Sequence, residues 1–176
     1  WKLRQHLEAR FRAREIPRVA VVGGGPTGSE VTANLMALAA RHDIDLRVTL
    51  ITQSDRLIVQ APAGAAGALQ RTLTRRGVVI RTHTHVVRRE GKLLITGHGR
   101  HIDADVVVLQ RPLHRNRYEL IGALQAQGVA VVVEIDDDFH AIHPRNPAWK
   151  GANPLNDPDV HRDWLMRSCE RADLVT

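Results

Sequence analysis

Apolar residues along the chain fall into short blocks of two alternating kinds. Leu3, Leu7 and Phe11 stand four apart, one stripe of a helix over Trp1–Arg14. Pro17 closes that helix, because its ring has no place in a helical interior. Val19-Ala-Val-Val22 is an unbroken apolar run, the signature of a strand buried on both faces. A helix from Ser29 to about Arg41 follows, with Val31, Leu35 and Leu38 on one side, and then a strand over Leu46–Ile51. Leu69 and Leu73 mark a second such helix over Pro62–Arg76, weakened by Gly64 and Gly67 and stopped by Gly77 ahead of a strand over Val78–Arg81. Thr84–Arg88 and Lys92–Thr96 flank a Glu90-Gly91 turn and read as a hairpin. Asp105–Leu109 is a further buried strand, a helix over about Asn116–Gln127 ends at Gly128, and Val129–Ile135 is a strand again. After a proline-rich irregular stretch, Phe139 to Asp159, a helix over His161–Ala172 and a strand over Asp173–Thr176 complete the pattern.

Strands alternating with helices predict an α/β, Rossmann-like fold: a mostly parallel sheet with helices on both faces, plus a small antiparallel hairpin. The expected strand order is 3-2-1-4-5. Residues 1–110 form the expected dinucleotide-binding domain, and residues 111–176 a partial α/β extension continuing or flanking its sheet.

The first strand runs directly into Gly23-Gly-Gly-Pro-Thr-Gly28, which opens the second helix. A GxGxxG pattern gains meaning from that strand-to-helix context. Gly23 permits the tight turn, Gly25 lets a diphosphate approach the backbone, and Gly28 allows close helix–strand packing. The helix-start amides of Gly24, Gly25, Thr27 and Gly28 are the expected diphosphate donors. Pro26 costs no hydrogen bond there. The partner acid of an NAD site is expected at the end of the second strand, which instead reads Ile51-Thr52-Gln53-Ser54. Asp43 and Asp45 precede that strand and fall at its wrong end. Thr52 and Gln53 are left to hydrogen-bond the ribose. Arg56 is placed to meet a 2′-phosphate, a tilt toward NADP(H).

Composition narrows the alternatives. In 176 residues there are 25 Lys+Arg against 19 Asp+Glu, a net charge of +6. The basic residues are scattered, among them Arg75-Arg76, Arg88-Arg89, Arg111, Arg115 and Arg117, so they read as solvated surface with an anionic ligand as the other use. Three Trp, two Phe and one Tyr are too few for a base-stacking platform, and no nucleic acid partner is expected. A single cysteine, Cys169, excludes a disulfide framework, a cysteine-rich zinc site and a CxxC dithiol, and points to a reducing, cytoplasmic setting. No metal site is expected. No apolar run approaches the ~20 residues of a membrane helix.

Val19-Ala-Val-Val-Gly-Gly-Gly-Pro-Thr-Gly-Ser-Glu30, Val48-Thr-Leu-Ile51 with Ser54-Asp-Arg-Leu57, Arg75-Arg-Gly-Val-Val-Ile80 and Ile102–Val108 resemble the NAD(P)H-binding domain of FAD-dependent pyridine nucleotide-disulfide oxidoreductases, especially the type II NADH dehydrogenase-like branch. The resemblance covers residues ~1–109. It implies that Gly25–Gly28 contact the diphosphate and that Glu30 lies near the nicotinamide side. The family's usual acid falls on Thr52, and its Ala-Thr-Gly after the closing strand is replaced by Leu109-Gln-Arg-Pro112. The family also implies FAD, whose binding half is absent from these residues. A bound nicotinamide therefore needs a flavin-binding partner segment as hydride acceptor, and no catalytic residue is assigned.

Beyond about Val106 a second resemblance sets in. Val106–His114, Val131–Asp138 and Glu170–Thr176 are similar to the amino-terminal half of a bacterial or phage two-lobed glycosyltransferase. Under that alternative Glu134 and the run Asp136, Asp137 and Asp138 bind a hard cation or act as base for a sugar hydroxyl; the competing reading is a solvated turn. His140 and His143 read as surface or satisfied core residues, and Trp149 and Trp164 as packing residues. Two resemblances meeting near Asp105–Gln110 suggest a composite chain. Its activity is then that of an oxidoreductase domain, of a transferase fragment, or of neither.

Overall fold

The computed structural model describes residues 2–90, 93–99, 101–135, 143, 145 and 160–176. The chain runs α1 (Lys2–Arg12), β1 (Arg18–Val22), α2 (Pro26–Arg41), β2 (Arg47–Ile51), α3 (Ala63–Arg75), β3 (Val79–Arg81), β4 (Val86–Glu90), β5 (Leu93–Thr96), β6 (His101–Asp103), β7 (Val106–Gln110), α4 (Arg115–Gln125), β8 (Ala130–Glu134), α5 (Val160–Arg171) and β9 (Leu174–Val175). Six strands form one parallel sheet in the order β3-β2-β1-β7-β8-β9, and β4-β5-β6 form a separate antiparallel sheet. This is the Rossmann-like α/β fold, with the expected strand order extended by one strand. The antiparallel unit has three strands rather than two. His101-Ile-Asp103 carries too short and too polar a pattern to announce itself as a strand.

Alternation along each strand sorts the core into two layers. Val19, Val21, Val48, Leu50, Val106, Val108 and Val132 pack with Leu7 and Phe11 of α1 and Leu35 and Leu38 of α2. Ala20, Ile51, Val107, Leu109, Val131 and Val133 pack with Leu120, Ile121 and Leu124 of α4 and with Leu94 of β5. Both faces are buried, which is why these strands read as continuous apolar runs.

The end of α2 disposes of one candidate acid. His42 is the C-cap, Asp43 follows at φ +54°, its amide meets Ala40 O at 3.3 Å, and the Ile44 amide meets Ala39 O at 3.0 Å. This is a Schellman closure, with buried Ile44 folding back on the helix. Asp43 thus serves as a helix terminator at the amino end of the sheet, as its place before β2 requires.

Candidate functional site

Strand β1 delivers the glycine turn to the carboxyl edge of the sheet, where β1 and β7 part company. At that point the connections from neighbouring strands run to opposite faces and leave a crevice. Gly23, at φ +138°, donates its amide to Ile51 O at 2.9 Å, and Gly24 O accepts the Ile58 amide at 2.8 Å. Helix α2 starts at Pro26 with Gly25 as N-cap and no side-chain cap.

The four glycines differ in what a methyl group would meet. A Cβ on Gly28 would stand 2.0 Å from Gly23 O, one on Gly24 2.5 Å from Thr52 Cβ, and one on Gly23 2.7 Å from Gln110 Oε1. These three are dictated by protein packed against protein. At Gly25 the nearest atom is Gln110 Oε1 at 3.5 Å, an ordinary contact. The protein would tolerate a side chain at Gly25, so its absence keeps open the space over the turn. Thr27 is half-buried, and Glu30 is exposed on the next turn of α2.

At the end of β2, Thr52 is buried against Gly24, and its Oγ1 accepts the Ser54 amide at 3.3 Å. Gln53 is exposed. Arg56 is half-buried and folded onto its own loop, with Nη2 donating to Val59 O at 2.9 Å. Ile58, in the same loop, has φ +43°, an unusual state for a β-branched residue. His83 and Arg111 are also left-handed, at φ +48° and +46°. Three strained residues thus lie in the loops that follow β2, β3 and β7, and backbone strain of this kind gathers at functional sites.

These loops enclose a cleft of about 240 Å³ reaching from Gly23, Thr52 and Gln53 across to Gln110, Arg111 and Arg117. His85 and His114 complete its rim, and among the described residues no carboxylate lines it. A larger groove of about 370 Å³ between α1 and α2 presents mainly aliphatic side chains. The smaller cleft gathers polar and basic side chains beside Gly23 of the turn and is the candidate site. Arg111 and Arg117 are half-buried here, not solvated as their scattered spacing suggests. Gln110 and Arg117 were not legible as site residues. Only the replacement of the family's Ala-Thr-Gly by Leu109-Gln-Arg-Pro112 hinted at a change at this edge.

Asp136, Asp137, Asp138, His140 and Trp149 lie outside the described residues. Glu134, at the end of β8, is buried, and its carbonyl accepts the Arg111 amide at 3.1 Å. His143 is exposed and accepts the Arg145 amide on Nδ1 at 3.1 Å. Trp164 packs on Tyr118 with ring centroids 5.4 Å apart. Among the described residues no group of three or more His, Cys, Asp or Glu is arranged to hold a metal ion, and no helix is long and apolar enough to cross a membrane.

Strand, glycine turn and helix at a sheet switch point define a Rossmann-like α/β protein. Residues 4–137 match the sequence model of the pyridine nucleotide-disulphide oxidoreductase family, and the chain belongs to that family. The match runs past Asp105–Gln110, where the glycosyltransferase resemblance begins, and the comparisons lend that second resemblance no support. A type II NADH:quinone oxidoreductase of Haemophilus influenzae is 33% identical over 99 residues, taking in 51% of this chain and 22% of the relative. The chain therefore spans about a fifth of that protein's length. Among solved structures, a ferredoxin reductase of the CYP199A2 system of Rhodopseudomonas palustris is similar over 74% of this chain and 32% of that one, at 17% identity and a TM-score of 0.48. LpdA of Mycobacterium tuberculosis is similar over 53% of this chain and 20% of that one, at 25% identity and a TM-score of 0.45.

Proposed function

We propose that this chain binds NAD(P)H at the carboxyl edge of its parallel sheet, as the pyridine-nucleotide domain of a flavin-dependent oxidoreductase. The observation that carries the reading is the clearance at Gly25, room that packing within the protein does not require. In this reading the amides of Gly24 to Gly28 receive the diphosphate, aided by the partial positive charge at the start of α2. Thr52 and Gln53 take the ribose hydroxyls, and Glu30 lies toward the nicotinamide. Residues 1–110 carry the binding, and residues 111–176 extend the sheet through β8 and β9. The chain has one turn of this kind, so the reading assigns the flavin to another segment. When bound there, the flavin supplies the hydride acceptor.

Calorimetric titration of the full chain with NADH and NADPH tests the proposal. Saturable binding of at least one coenzyme, weakened tenfold or more in Gly25→Val with an unchanged circular dichroism spectrum, is expected. Binding of neither coenzyme, or equal binding by the variant, overturns it.

A further inference from the structure

Strand register brings one uncharged polar side chain to the glycine turn. Leu109 pairs with Val22 in the β1–β7 ladder, so Gln110, the last residue of β7, falls beside Gly23. Side chains alternate along a strand, and Gln110 follows Val106 and Val108 on the face that packs against α1 and α2. Its carboxamide oxygen Oε1 lies 2.7 Å from where a Cβ would stand on Gly23, 3.4 Å from one on Gly28 and 3.5 Å from one on Gly25. Nε2 is 3.9 Å from that last point. Gln110 is half-buried, and among the described residues its carboxamide has no hydrogen-bond partner. A primary amide carries two donors and an acceptor, and drawing them out of water unanswered costs stability.

We infer that Gln110 is a ligand-binding residue of this site, its carboxamide N–H donating to the diphosphate of a dinucleotide seated on the turn. This assignment rests on the glycine-turn reading and adds to it a contact from β7. The space over Gly25 is the room which that reading fills with a diphosphate, and Gln110 is the nearest side chain to it. The amides of the turn reach the ligand from β1 and α2, so strands on both sides of the switch point then hold one ligand between them. A diphosphate offers only acceptors. The carboxamide can meet it, because its oxygen and nitrogen exchange places by a half-turn of the terminal torsion. Among the described residues no carboxylate lines the cleft to compete for that N–H. Being uncharged, Gln110 acts as a donor in a way that substitutions of equal size can separate from the general charge of the cleft.

The test titrates the full chain with NADH, NADPH and ADP-ribose, in the wild type, Gln110→Met and Gln110→Glu. Met keeps the length of the side chain and removes its donor; Glu keeps its shape, removes the donor and brings a negative charge. With unchanged circular dichroism spectra, affinity is expected to fall about three- to tenfold in Gln110→Met. A further loss of about tenfold or more is expected in Gln110→Glu, where two anions meet. ADP-ribose keeps the diphosphate and lacks the nicotinamide ring, so it is expected to lose affinity by the same factors as the coenzymes. A loss confined to the coenzymes would put the contact at the nicotinamide end and overturns the inference. So does Gln110→Met binding as tightly as the wild type, or Gln110→Glu binding no more weakly than Gln110→Met. If Gln110→Glu does not fold, Gln110→Met decides alone. Binding of none of the three ligands by the wild type is the failure of the glycine-turn reading, and this inference falls with it; wild-type binding that the folded variants keep is the failure of this inference alone.

Discussion

Arg18 grips Asp105 at the amino end of the β1–β7 pair: Nε and Nη2 each donate to a carboxylate oxygen at 2.9 Å, and the Arg18 amide adds a third bond at 3.1 Å. The same guanidinium reaches Asp103 of β6, so one side chain ties together β1, the antiparallel sheet and β7. The fork geometry favours Arg over Lys at such a joint. Asp105→Ala removes three charge-assisted bonds and is expected to cost about 1–3 kcal/mol. Urea unfolding measures it, and a loss below about 0.5 kcal/mol would show the pair to be ordinary surface charge.

Two kinds of glycine substitution should move stability in opposite directions. In Gly28→Ala the new methyl meets backbone, 2.0 Å from Gly23 O, and α2 must lift off the turn. A cost of about 1–3 kcal/mol or more is expected. A Cβ on Gly64 meets nothing within 4 Å, and one on Gly67 meets only the end of the flexible Arg71 side chain. The double variant Gly64→Ala, Gly67→Ala should stabilise by about 1 kcal/mol, seen as a Tm higher by roughly 2–4 °C. A Tm unchanged in both variants would refute this contrast.

Asp43 terminates α2 with a left-handed backbone that glycine adopts freely. Asp43→Gly should therefore stabilise by about 0.5–1 kcal/mol. Thermal melts check it, and a fall in Tm would mean that the Asp43 side chain contributes something beyond capping.

Glu8 gives the acid limb of the pH profile a named contributor. The Arg4 hydrogen bond, opposed by burial and helped by the Arg4 and His42 charges, holds its carboxyl below the usual value of 4.5. A group whose pKa is depressed in the folded state stabilises the fold above its unfolded value and loses that contribution as pH falls through the folded one. Glu8→Gln is expected to show a shallower loss of Tm below about pH 4.5 than the wild type. Identical slopes would remove Glu8 from the account.

Cys169 behaves in the opposite sense. Burial, with the adjacent Glu170 charge, raises its thiol above the ordinary value of 9.0. Less thiolate is present at neutral pH, so alkylation should be several-fold slower than for free cysteine at pH 7.5. The fold loses stability as pH rises from the unfolded value toward the folded one, because only the unfolded chain then ionises freely. Alkylation as fast as that of the free amino acid would contradict the burial.

The parallel sheet and the glycine turn were readable because their physics is local. Val19–Val22 must be buried on both faces, and the glycines stand where a strand passes into a helix. Gly28 illustrates this: a Cβ there would stand 2.0 Å from Gly23 O, the close approach expected of it. Strand β6 was hidden because three residues, His101-Ile-Asp103, carry no period. Arg117 was hidden for a different reason. Its Nη1 reaches the carbonyl of Val86 in β4, 31 residues earlier, and nothing beside it in the chain reports that contact or its burial. Arg56, at the expected spacing, donates from Nη2 to Val59 O while its Nε is buried without a hydrogen-bond partner, a detail of the loop's folding that spacing does not report.

The β1–β7 pairing joins residues 87 apart, whereas the other parallel pairs link strands that follow one another along the sheet's connections. Closing so long a loop is the entropically expensive step of assembly, so β3-β2-β1 and β7-β8-β9 are two halves that meet along a seam. The cleft opens at one end of that seam, with walls drawn from both halves. Whatever lodges there is a rivet: its binding energy adds directly to the work of pulling the halves apart.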